Sequence, residues 1–143
     1  MIEDPITVNA EVIKAANGLL DQPMSLRRAV DQKAYGDAKL AGDLVPLADE
    51  PTIEEFAHWR MIENRFPYSI AFQTHHLLLP KRKVANMREL NLQEFHELQY
   101  ILDDVTGGHY DLWFVNVGNR RSVPDHFHIH FAKYVEHRKE MML

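Results

Sequence analysis

The sequence predicts an α+β domain: an antiparallel sheet of about five strands, one main helix packed on it, and helices added at the N-terminus. Three observations carry that prediction. The 143 residues are 45% hydrophobic and 26% charged, enough apolar material for one core in one domain. Short runs of strand length, alternating or wholly apolar, occupy much of the chain after Trp59. One stretch within that half, residues 91–105, has helical spacing and signals at both ends.

From the N-terminus, residues 1–50 read as a helical extension and residues 51–143 as the main domain. Val12, Ile13, Ala16, Leu19 and Leu20 recur at helical spacing until Pro23 ends the run. Ser25 is a candidate cap for a second helix through Ala34 or beyond, with Leu26, Ala29 and Val30 on one face. Gly36, Gly42 and Pro46 weaken the helical pattern after it. Trp59–Glu63 alternates like a half-buried strand, and the apolar run His76–Leu79, stopped by Pro80, fits a strand buried on both faces. Lys81-Arg82-Lys83 follows as a basic turn. Asn91 is the N-cap of the clear helix, Glu94 completes a capping box, and Leu90 and Phe95 occupy the staple positions. Phe95, Leu98, Leu102 and Val105 form its inward stripe, and Gly107-Gly108 stop it. Asp111–Val117 and His126–Lys133 are the last strands, joined by the polar loop Gly118-Asn119-Arg120-Arg121-Ser122.

Composition removes several classes of function. There is no cysteine, so disulfide frameworks, thiolate zinc sites and cysteine nucleophiles are out, and a reducing compartment fits. The net charge of −5 lacks the basic footprint expected of a binder of duplex nucleic acid. No apolar run approaches the roughly 18 residues of a membrane span, and residues 1–20 do not read as a signal peptide. The expected location is the cytosol.

Nine histidines is a high count for this length, and three of them fall in His126-Phe127-His128-Ile129-His130-Phe131. Successive side chains of a strand point to opposite faces, so the three imidazoles share one face and Phe127, Ile129 and Phe131 the other. Neighbouring imidazoles would then stand roughly 6–7 Å apart, a spacing that suits a phosphate group. Zinc is the competing ligand. It needs neutral imidazoles converging on one point, and three along one straight strand diverge; two of them with His75 or His109 would be the workable set. A nucleophilic site instead needs one imidazole aimed at an electrophile, with neighbours that supply protons or positive charge. A polar strand face without a role is the third possibility.

The pattern His-apolar-His-apolar-His-apolar-apolar, matched by His126 to Ala132, is the signature that the histidine triad (HIT) family carries. Thr74-His75-His76-Leu77-Leu78-Leu79-Pro80-Lys81 resembles that family's upstream strand. Leu90 onward resembles its central helix, and Asn116-Val117-Gly118 the strand end before the triad loop. The likeness spans about residues 59–134. It implies a HIT-like fold and a nucleotide-phosphate hydrolase or nucleotidyltransferase, acting at the α-phosphorus through a nucleotidyl-histidine intermediate, with no cofactor. The substrate implied is a nucleoside polyphosphate, dinucleotide or phosphoramidate, and the assembly a homodimer. By resemblance His128 is the nucleophile, and His126, His130 and His75 bind phosphate oxygens. Asn116 contacts the phosphate or holds a histidine, and Asn64 lies near the strand end that meets the ribose.

The chain also departs from the family pattern. Ser122 stands where the family carries a loop glutamine that assists around the leaving group, and the loop is one residue shorter. Arg120 and Arg121 enter the same loop, as a bidentate phosphate clamp or as solvated charges. Asp125 either polarises a histidine or faces solvent. Trp59, Phe66 and Tyr68 are candidates for stacking on a base, with core packing the better-supported use. His76, next to His75, belongs on the opposite face. Two rival functions stand beside the enzyme: a metal-binding β-protein using the histidine ladder, and a nucleotide-binding module of low turnover, for which Ser122 is the best support.

Overall fold

A computed structural model describes residues 25–105, 107–117 and 123–136. Five antiparallel strands form one open sheet: β1 (Thr52–Glu55), β2 (Trp59–Glu63), β3 (Phe72–Pro80), β4 (Leu112–Phe114) and β5 (Ile129–Tyr134), in the order β1-β2-β3-β5-β4. Among the described residues two α-helices accompany them, α1 (Ala29–Ala41) and α2 (Leu92–Tyr100). The expected α+β architecture is present, and β1, which lacks an apolar face to announce it, is the added edge strand. All four of its residues are exposed.

Register decides what each face of the sheet carries. Leu77 is paired with His130, Leu78 with Ile129, His75 with Ala132 and His76 with Phe131. Paired residues share a face, so Leu78, Ile129 and Phe131 turn one way and His75, Leu77 and His130 the other. On the first face Trp59, Met61, Leu78, Val84, Leu98, Ile101, Phe127, Ile129 and Phe131 form one buried cluster under α2. On the second, Ile62, Leu77 and Leu79 form a smaller cluster closed by Leu47 from the N-terminal segment.

The capping box at Asn91 is built as expected. Its side chain accepts from Glu94 N–H at 2.8 Å, and the Glu94 carboxylate accepts from Asn91 N–H at 2.9 Å. The predicted inward stripe is corrected. Phe95 is 39% exposed, while Glu94 and Leu98 are buried. Glu94 lies on the same buried face as Leu98 and Ile101, and the cost of burying its carboxylate is offset by the Arg82 guanidinium, which donates to it at 2.7 and 3.1 Å. The helix continues as a π-helical turn through Ile101–Val105, and Gly108 then adopts a left-handed φ of 84° that ends the segment. The Val105 side chain lies outside the described set.

The first helix also differs from its expectation. Ser25 does not cap it: α1 begins at Ala29, and the Ser25 hydroxyl accepts from Arg27 N–H at 3.1 Å. Leu26 and Val30 are exposed, and α1 buries no residue of its own. Ser69 tethers its start, accepting from Arg28 N–H at 3.1 Å and donating to Asp31. The candidate helix over Val12–Leu20 lies outside the described residues. Among the described residues no helix is long and apolar enough to cross a membrane.

Candidate active site

The second face of the sheet gathers the histidines. His75 and His130, on adjacent strands, place His75 Nε2 at 2.7 Å from His130 Nδ1. Both residues are buried, at 3% exposure each. The proton in that bond can be assigned from its neighbours. Tyr68 N–H donates to His75 Nδ1 at 3.0 Å, so in the neutral ring the proton sits on Nε2 and is donated to His130 Nδ1. His130 Nε2 therefore carries its own proton and is a donor. The longer contact of Asn116 Nδ2 to that atom, at 3.4 Å, does not set the tautomer.

Both rings are held neutral. Burial first, and then the positive charge of Arg27 and the neighbouring histidines, together push His75 down to about 3. Burial likewise pushes His130 down to about 2, with His128, His75 and Arg27 adding to the effect. His126 is also lowered, chiefly by burial.

His128 stands just ahead of β5 rather than within it. The strand begins at Ile129, so the ladder is part strand and part extended lead-in, a correction to the uniform strand expected over His126–Lys133. That lead-in lets the His128 ring turn back on its own chain. Its Nδ1 lies 2.8 Å from the His126 carbonyl oxygen, to which it donates, and the lone pair is thereby left on Nε2. The ring centroids of His128 and His130 are 5.1 Å apart. Alternation still holds across the segment, since Phe127 and Ile129 enter the apolar core on the opposite side.

His128 and His130 line a cavity of about 80 Å³ together with Asn64, Tyr68 and, from the N-terminal segment, Arg27 and Tyr35. A wider cleft of about 440 Å³ adjoins it and shares Glu50, Glu63, Asn64 and Arg65 as walls. Asn64 Nδ2 is 3.3 Å from His75 Nδ1, and its Oδ1 accepts from Phe66 N–H at 3.0 Å. Asn116 donates to the Tyr68 hydroxyl oxygen at 2.8 Å. Phe114 stacks on His130 with centroids 4.6 Å apart and planes 6° from parallel.

Of the residues singled out in the sequence, His75, His128, His130, Asn64 and Asn116 come together here. His126 does not line the cavity. Its Nε2 donates to the Pro80 carbonyl at 3.3 Å, which fixes the turn entering the ladder. Arg120, Arg121 and Ser122 lie outside the described residues. Asp125 faces solvent and pairs with Lys83 at 3.0 Å. His76 is turned to the other side, bonded to the Tyr110 hydroxyl at 2.7 Å. Trp59 is a core residue whose indole N–H donates to the Glu94 carbonyl at 2.8 Å. Among the described residues no three His, Asp or Glu side chains are arranged to hold a metal ion.

Sequence alone assigns neither Arg27 nor Tyr35 to this site, and it offers Tyr68 only as a base-stacking or core residue. Tyr68 is its hub: the ring centroid lies 4.5 Å from that of His75 and 5.5 Å from that of His130. No local pattern marks Arg27 or Tyr35, which join the histidines in lining the cavity only through the tertiary fold.

Solved structures similar to this chain include two HIT family hydrolases. A HIT family hydrolase from Clostridium thermocellum is similar at 20% identity and a TM-score of 0.46, over 69% of this chain and 88% of that one. A HIT family hydrolase from Legionella pneumophila is similar at 21% identity and a TM-score of 0.41, over 66% of this chain and 88% of that one. No protein-family model matches the chain, and no curated protein does.

Proposed function

We propose that the protein is a histidine-triad hydrolase or nucleotidyltransferase acting on the α-phosphorus of a nucleoside phosphate compound. The observation that carries this reading is the His128 ring. Donation from Nδ1 to the His126 carbonyl leaves an unprotonated Nε2 on a ring that lines the cavity beside a protonated His130 Nε2. In the first step the Nε2 lone pair forms a bond to phosphorus, and the bond to the leaving group breaks. The leaving group takes the bonding pair and a proton from solvent, and the charge on the His128 ring is eased by the carbonyl at Nδ1. Water, or another acceptor, then displaces the histidine and restores the ring. His130 donates to the phosphate oxygens as their charge grows, a role suited to a ring whose neutral form is secured by burial.

Cavity size supports the same reading. The inner space of about 80 Å³ suits a phosphate group, and the adjoining cleft of about 440 Å³ suits the larger remainder of a nucleotide. Roughly 300–1,000 Å³ is ordinary for a small-molecule site. Assembly as a homodimer belongs to this reading as well.

The test is intact-protein mass spectrometry after brief incubation with nucleotides and an adenosine phosphoramidate, quenched without acid because phosphohistidine is acid-labile. A nucleotidyl adduct is expected on the wild-type chain and none on His128→Asn, whose turnover is abolished while nucleotide affinity stays within a few-fold. Continued turnover by His128→Asn would sink the mechanism. Tight nucleotide binding with neither adduct nor product would make the protein a binding module.

A further inference from the structure

The cavity has a second wall, made by the N-terminal segment, that the proposed chemistry leaves unused. The charged side chains lining the cavity are Arg27, Glu50, Glu63 and Arg65, and they are held in different ways. Arg65 and Glu50 neutralise each other through paired bonds of 3.0 and 3.1 Å. Arg27 is held otherwise: its Nε donates to the Phe66 carbonyl at 2.8 Å and its Nη1 to Gln32 Oε1 at 3.3 Å. The guanidinium lies over the Tyr35 ring, 4.3 Å from its centroid, and 5.1 Å from that of Tyr68. These four partners are uncharged and fix the plane of the guanidinium, while the Asp31 carboxylate, which acts on its charge from nearby, accepts from the Ser69 hydroxyl. The two hydrogen bonds use two of its five N–H donors.

The histidines opposite cannot supply that charge. His75 and His130 are neutral, and each offers dipoles and single protons rather than a cation. A ligand with one phosphate can be served by those donors, but a longer phosphate chain brings further negative charge into a partly buried space. Arg27 is placed to meet it, one aromatic ring away from the histidine pair: Tyr68 contacts Arg27, His75 and His130 alike.

We infer that Arg27 is a binding residue of this site, contacting a phosphate group beyond the one at His128, and that it selects ligands with two or more linked phosphates. The inference rests on the reading that the reacting phosphate lies at His128.

The test is calorimetry on the full chain with four probes: adenosine, AMP, α,β-methylene ADP and inorganic pyrophosphate. Arg27→Gln is expected to weaken α,β-methylene ADP and pyrophosphate by about ten-fold or more, AMP by less than about three-fold, and adenosine not at all. A purely structural role for Arg27 would weaken adenosine too, and that result overturns the inference. So does unchanged affinity for the two diphosphates, or an equal loss for AMP and α,β-methylene ADP, and both leave the histidine reading standing. Pyrophosphate bound through Arg27 with no nucleotide bound by the wild type would overturn the nucleotide reading and keep the anion site. Should Arg27→Gln fail to fold, Arg27→Lys decides: it keeps the charge and loses the planar fork, and about three-fold weaker diphosphate binding is expected with adenosine unaffected. No change would overturn the inference.

Discussion

On the face of the sheet turned to α2, Phe127, Ile129 and Phe131 meet Trp59, Met61 and Leu78, hydrocarbon against hydrocarbon. On the other face the same strands present His75 and His130, equally buried, against Tyr68, Phe114 and each other. The first face needs only to exclude water, and its stabilisation scales with the area removed from solvent. The second needs every ring nitrogen matched to a partner of the right kind. Among the described residues no buried side-chain N or O lacks a hydrogen-bond partner, so the match is achieved. The difference teaches where the stability for a polar, buried site comes from: it is supplied across the thickness of the sheet by the apolar face.

The largest effect should therefore come from the face without chemistry. Phe127 is 2% exposed and packs edge-on against Trp59, with centroids 6.4 Å apart. Phe127→Ala should cost about 3–5 kcal/mol, the range for a large aromatic lost from a core. Denaturant unfolding reads this directly. The same change also unseats the segment between His126 and His128, so activity should fall with stability. A variant that stayed fully stable would break the comparison.

The histidine face should show itself in pH rather than in packing. His75 and His130 titrate near 3 and 2 when folded, against an ordinary value of about 6.5 when unfolded. Between those values the unfolded chain binds more protons, so stability rises with pH and is lost as pH falls below about 6.5. Each ring contributes about 2 kcal/mol of that loss between pH 7 and pH 5. Thermal melts across this range should show a steep decline for the wild-type chain and a shallower one for His130→Gln. Equal slopes would mean that the pair is not buried neutral.

How much of this was legible in the sequence depends on how far each interaction reaches along the chain. The alternation through His126–Phe131 and the capping box at Asn91 are local, and both appear as expected in their essentials. The edge strand β1 was missed because Thr52-Ile53-Glu54-Glu55 is exposed throughout and carries no apolar rhythm. The start of β5 was placed too early, since alternation alone cannot separate a paired strand from an extended lead-in. Tyr68 and Arg27 belong to the site through contacts with residues distant in sequence, such as Asn116 to Tyr68. No periodicity encodes such contacts.

Glu94 sharpens the comparison at its small end, because it is a charged residue buried on the apolar side. Its carboxylate closes the capping box and receives Arg82, and these contacts hold it ionised: its pKa is lowered chiefly by the Arg82 hydrogen bonds. Glu94→Ala removes both at once while Leu98, one turn on, stays in the core. A loss of about 1–2 kcal/mol is expected, the scale of a helix cap with a charge-assisted bond. Arg82 is left half-exposed and can be solvated, which keeps the cost from rising further. Turnover should be unchanged when measured well below the melting temperature, since no contact of Glu94 reaches the histidine face. A variant as stable as wild type but slower would mean that the two faces are coupled through α2, and that separating scaffold from site by the plane of the sheet is wrong.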